Sequence, residues 1–219
     1  MIPVKLASEP FTFDELVRVP GLRAISEMIG QKPKHARKAG KPYKKIARSK
    51  NKIPPDKFPA YWTHALDSLM ISYNQICAYS AFRIHPVTGA RSADHMVAKS
   101  HAWRQVYEWN NYRLACSRLN SRKKDFFDVI DPFLVKHDWF VLNIFTFEIE
   151  AAPRLDAAIA KKISDTIIRL DLNDFKHHRE EYAEDYLKGE ISLRILKKEA
   201  PFIAYELFRQ KKLLAGDVY

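Results

Sequence analysis

Residues 93–125 read ADHMVAKSHAWRQVYEWNNYRLACSRLNSRKKD, and this stretch decides the fold. An Asp94-His95 pair is followed sixteen residues later by Asn111, then by Asn120 and a basic run of Arg122, Lys123 and Lys124. The pattern predicts a short strand over 91–97, a second over 112–116 and a helix over 117–125. Leu119, three residues after Cys116, lies on the inner face of that helix. On it, Asn120 shares a face with Lys123 and Lys124, at i+3 and i+4. Asp94 and His95 would point to opposite faces of a regular strand, so both reach one site only where the strand ends or bulges. Carboxylate and amide oxygens suit Mg²⁺ or Mn²⁺, an imidazole takes a proton near neutral pH, and the cations suit a phosphodiester.

The ordered set of Asp94-His95-Met96, Lys99-Ser100, Asn111, Leu114-Ala115-Cys116, Asn120, Arg122-Lys123 and Asp125 resembles the HNH endonucleases. With Cys77 upstream, the resemblance spans about 50 of the 219 residues. It implies an α+β fold, a ββα-metal finger embedded in a mostly helical domain. It further implies a metal-dependent endonuclease that cleaves phosphodiester bonds, with DNA favoured and RNA also open. Asp94 and Asn120 would hold one Mg²⁺ or Mn²⁺. The catalytic roles fall to His95 as general base and to Asn111, which would hold the hairpin and orient His95 from behind. Arg122, Lys123 and Lys124 would grip flanking phosphates. Many relatives carry four zinc ligands at positions matching Cys77, Ser80, Cys116 and Leu119. Leucine cannot ligate and a serine hydroxyl is a poor zinc ligand, so structural zinc is not expected. An unperturbed imidazole at His95 would lose activity below about pH 6.5.

The resemblance narrows to the HNH effectors of Septu-type and retron-linked bacterial anti-phage systems, which implies an ATPase partner subunit. This chain has no G-x-x-x-x-G-K-[ST] motif, so ATP control would come from another protein. Two alternatives remain, both without catalysis: a basic nucleic-acid-binding module, or a partner-docking module, that retains the finger as scaffold. The intact Asp94, His95 and Asn120 weigh against the first, and nuclease assays with metal separate the second.

Around this centre the chain divides into residues 1–58, 59–135 and 136–219. In the first, Thr12-Phe13-Asp14-Glu15 predicts a capping box, Pro20 an interruption and Gly30 a helix end. Residues 31–58 form a basic arm: eleven lysines and arginines, Lys38 among them, face the single acid Asp56. Ten net positive charges thus sit in this segment, against +11 for the whole chain. Lys41, Lys44, Lys45 and Arg48 are its candidate phosphate contacts. A solvated loop, or docking to an acidic protein, would use the same charge.

Trp62, Leu66, Leu69, Tyr73 and Ile76 make a helical apolar stripe, read as core. His101 falls in the connection between the two strands, more a surface residue than a phosphate neighbour. Beyond the centre, short strands are expected over 139–144 and 147–150, then a helix marked by Leu155, Ile159, Ile163, Ile167 and Leu170. Asn173-Asp174 would cap the next helix, and Pro201 would open the last. Hydrophobic residues make up 47% of the chain and the pI is about 9.6, which argues against disorder and for an anionic partner. No apolar run is long enough to span a bilayer and two cysteines make no disulfide framework, so no membrane association and a cytoplasmic location are expected.

Overall fold

The computed structural model describes residues 1–37 and 39–219. Lys38 of the basic arm lies outside the described residues. The fold is α+β, with seven α-helices and two separate two-stranded antiparallel sheets among the described residues. The first sheet pairs β1 (Arg91–His95) with β2 (Tyr112–Cys116), in the register Ala93↔Leu114, Asp94↔Arg113 and His95↔Tyr112. From β2 the chain passes without a loop into α3 (Ser117–Lys123), which packs back across both strands and buries Leu119. The second sheet, β3 (Phe140–Leu142) and β4 (Ile149–Ala151), lies in the C-terminal third.

At the N-terminal end, the capping box expected at Thr12 does not form. A π-helical turn over Asp14–Arg18 runs straight into α1 (Val19–Met28), and neither start carries a side-chain cap. Pro20 does not interrupt this helix. It is the second residue of α1, directly after the π-helical turn, and the helix runs on through it. Gly30, at φ +73°, ends the helix in the left-handed conformation. Of the stripe read over 62–76, Trp62 falls in a 3₁₀ turn (Tyr61–Ala65) and Leu66 and Leu69 in α2 (Leu66–Ser72), while Tyr73 and Ile76 lie beyond the helix.

The C-terminal third holds α4 (Ala157–Leu170), α5 (Lys176–Leu187), α6 (Leu193–Glu199) and α7 (Pro201–Arg209). Asp156 caps α4 by accepting from the amides of Ala158 and Ile159. The cap expected from Asn173-Asp174 does not occur. The Asn173 Oδ1 accepts from the amide of Ile149 at 2.7 Å and from Arg179, while Asp174 pairs with Arg118 and Arg122. One buried cluster runs from Phe13 through Leu69, Tyr112, Leu119 and Leu142 to Phe202, and so draws on all three stretches of chain. A second cluster around Tyr186, Leu196 and Ile203 joins α5, α6 and α7. No helix among the described residues is long and apolar enough to cross a membrane.

The contact that presses the N-terminal stretch onto the centre is Gly21 against Tyr107. A Cβ at Gly21 would lie 2.2 Å from the Tyr107 ring, which is buried and anchored by its hydroxyl on the carbonyl of Pro59. Gly21→Ala should therefore destabilise the chain by roughly 1–3 kcal/mol, although alanine is the better helix former. Urea unfolding followed by circular dichroism measures this, and an unchanged or raised midpoint would contradict it.

Candidate active site

The hairpin places its polar residues where β1 ends. Asp94 and His95 are the last two residues of β1, and Ala93, Asp94 and His95 are all buried, so both faces of the strand are covered there. Asp94 is only 2% exposed. The Tyr79 hydroxyl donates to its Oδ2 at 2.5 Å, and the Lys123 ammonium donates to its Oδ1 at 3.1 Å. Lys123 is fully buried and also donates to the carbonyls of His95 at 2.9 Å and Met96 at 3.4 Å. Burial pushes the Asp94 carboxyl above the ordinary carboxylate range, opposed by the charge of Lys123 and the Tyr79 donor.

The His95 ring is wedged edge-to-face between Trp62, 4.9 Å away, and Tyr112, 5.1 Å away. Its Nε2 lies 3.0 Å from the carbonyl of Val106. A carbonyl only accepts, so Nε2 carries the proton and Nδ1 is left as the basic nitrogen. No hydrogen bond reaches Nδ1 among the described residues. Burial lowers the pKa to about 3, with the nearby charges of Lys99 and Lys123 acting in the same direction.

Asn111 is buried. Its Oδ1 accepts from the amide of Val97 at 2.7 Å, and its Nδ2 donates to the carbonyls of Val97 and Gln105. With its own carbonyl accepting from the Met96 amide, Asn111 pins both ends of the loop between the strands. That loop carries the Val106 carbonyl. Asn111 thus holds the loop whose Val106 carbonyl meets His95, and it makes no hydrogen bond to His95 among the described residues.

Asn120 comes to the same place from α3. Its Nδ2 donates to Ser92 Oγ at 2.5 Å, and its Oδ1 has no partner among the described residues. Asp94, His95 and Asn120 line one cleft of about 400 Å³, together with Trp62, Lys99 and Lys124. Lys99 lies over the Trp62 ring at 4.3 Å and is half-buried, which lowers its pKa. Lys124 follows α3 at φ +50°, a left-handed conformation uncommon outside glycine.

The basic run thus divides by location. Lys123 is internal and cannot grip a phosphate. Arg122 is held by Asp171 and Asp174 and by the carbonyl of Leu170. Lys124 alone of the three lines the cleft. The arm is stitched to the end of α1: the amides of Ile46 and Ala47 donate to the Met28 carbonyl, and Glu27 accepts from Arg37 and from the Tyr43 amide. Lys41, Lys44, Lys45 and Arg48 are exposed along it, and Pro55 forms part of the cleft wall. His101 lies outside this lining, against the Phe127 ring and the carbonyl of Asp125. Lys99 stood in the sequence pattern without an assigned role. Tyr79 carried no local signal at all, since its partner is 15 residues away.

The donor set fits a hard divalent cation. Each Asp94 oxygen keeps a lone pair beyond the Tyr79 and Lys123 bonds, and the Asn120 Oδ1 is unused. Two such oxygens with waters suit the octahedral preference of Mg²⁺. No cluster of three or more His, Cys, Asp and Glu suited to a metal occurs among the described residues. At the four positions that the resemblance sets against zinc ligands, Leu119 is packed in the core. The Cys77 sulfur accepts from the Cys116 amide at 3.4 Å, and Ser80 Oγ from the Phe82 amide. Compared with models of known protein families and with curated proteins, the chain matches none.

Two outcomes follow from these electrostatics. Between about pH 6.5 and 3 the unfolded chain protonates His95 and the folded chain does not, so this residue makes stability fall as pH falls through that window. An NMR titration should find the His95 ring neutral down to about pH 4, and an inflection near 6.5 would contradict its burial. Lys123→Met strands a buried carboxylate and should cost about 3–5 kcal/mol, much of it recovered in the Lys123→Met, Asp94→Asn double variant. Denaturation of the four proteins of that cycle measures the coupling, and additive costs would remove it.

Proposed function

We propose that this chain is a metal-dependent endonuclease of the HNH type, acting on phosphodiester bonds in nucleic acid, with its strand–strand–helix centre serving as the ββα-metal finger. The observation that carries the reading is the convergence of Asp94, His95 and Asn120, from β1 and α3, on one cleft flanked by Lys99 and Lys124. Asp94 and Asn120 would hold Mg²⁺ or Mn²⁺, which when bound stabilises the charge that develops on the phosphate and on the leaving oxygen.

The chain's own residues supply the rest. His95 takes a proton at Nδ1 from the attacking water while its Nε2–H stays on the Val106 carbonyl, which steadies the imidazolium that forms. The water oxygen bonds to phosphorus and the bond to the 3′ oxygen breaks, so the products are a 5′-phosphate and a 3′-hydroxyl that takes its proton from solvent. Lys99 and Lys124 offset the charge of the phosphate. Its anion in turn opposes the cations that depress the His95 pKa, so substrate binding moves the base toward its working range.

A nucleic-acid-binding module without catalysis is the second reading. One observation favours it: both oxygens of Asp94 already have protein donors in Tyr79 and Lys123. Purified chain incubated with plasmid, single-stranded DNA and RNA in Mg²⁺ or Mn²⁺ separates the two. His95→Ala should lower cleavage by about 10²–10⁴-fold while thermal unfolding and nucleic-acid binding persist. Cleavage that survives in a clean His95→Ala preparation would overturn the mechanism, and binding without cleavage by the wild-type chain would favour the second reading.

A further inference from the structure

Beside the cleft lies a second depression of about 320 Å³, built from Trp103, Arg48, Lys50, Asn51 and Gln31. Trp103 is half-buried, packed against the core and lining this hollow. Lys50 lies over its ring at 4.6 Å and Arg104 at 5.3 Å. Arg48, Lys50 and Arg104 have no acidic partner among the described residues, so their charge is available to a ligand.

The two depressions have no lining residue in common, but the same two segments border both. Along the arm, Lys50 and Asn51 border the hollow and Pro55 borders the cleft, a few residues further on. Along the loop between β1 and β2, Trp103 borders the hollow and Lys99 the cleft, again four residues apart. A chain of phosphates lying between arm and loop would thus pass from one depression into the other.

We propose that the Trp103 hollow is a subsite for an unpaired nucleotide that flanks the phosphate in the cleft, so that the ligand of this face is single-stranded nucleic acid. This rests on the nuclease reading and deepens it. An indole offers a stacking face to any base, while paired bases in a duplex have both faces already covered. Lys50 and Arg104, now over the ring, sit where they can turn to the phosphates on either side of the stacked base. Arg48 and Asn51 supply further donors at the rim. The subsite would give affinity with little sequence preference, because stacking does not read base edges.

The test uses the full chain without divalent metal, so that binding is read and cleavage is not. Fluorescence anisotropy is measured with labelled single-stranded DNA, single-stranded RNA and duplex DNA of one sequence. Trp103→Ala should weaken single-strand binding about tenfold or more and duplex binding far less, while Trp103→Phe, which keeps a stacking face, should retain most of the affinity. Unchanged single-strand affinity in Trp103→Ala, or equal losses in the Ala and Phe variants at unchanged thermal stability, would overturn the subsite. Equal losses for single strand and duplex would overturn its preference for unpaired bases. If wild-type chain cleaves nucleic acid in Mg²⁺ while Trp103→Ala binds normally, the subsite alone falls. If wild-type chain neither binds nor cleaves any of the three, the nuclease reading falls with it.

Discussion

A single buried ammonium holds the centre of this molecule together. Lys123 leaves the last turn of α3, crosses to the end of β1 and donates to Asp94 and to the carbonyls of His95 and Met96. Each of those oxygens would otherwise sit in a low-dielectric interior with no donor, and a lysine there without them would be equally costly. A buried ion pair of this kind adds little net stability over a well-packed apolar replacement. What it does is select one placement of helix against strand, because any other leaves a charge stranded. The same selection brings Asn120, one turn earlier on α3, to the mouth of the cleft beside Ser92.

The second constraint is the loop between the two strands. Closing a loop of this length costs entropy, and Asn111 offsets that cost by bonding both ends with one side chain. The loop then delivers two things to the cleft: the Val106 carbonyl that sets the tautomer of His95, and Lys99, laid over Trp62. Burial of His95 between Trp62 and Tyr112 keeps its imidazole neutral, and the neighbouring cations make the cleft electropositive. The arm completes the face from the other side. Its backbone is bonded to the end of α1 at Ile46 and Ala47, so Lys44, Lys45 and Arg48 project from a fixed path rather than from a free tail.

Much of this centre was legible in the amino-acid sequence. Residues 112–116 form a strand, the helix follows it directly, Leu119 faces inward, and Asp94, His95 and Asn120 share a cleft. Those features follow from side-chain periodicity over a few residues, which the chain itself specifies. The charge of residues 31–58 is likewise a property of composition alone. What the tertiary structure decided is how the polar groups are shared out. Lys123 reads as a surface cation but is internal, because its acceptors lie 27–29 residues away. Arg122 reads as a phosphate contact but is taken by Asp174, 52 residues on. Asn173 and Asp174 read as a helix cap but are claimed by Ile149, Arg179, Arg118 and Arg122. In each case local propensity offered one partner or none, and packing of distant elements supplied another; for Lys123 that partner is buried and costly to leave unpaired. Periodicity specifies which faces of the chain turn inward. Only the folded arrangement sets which charges meet there and which remain for a ligand.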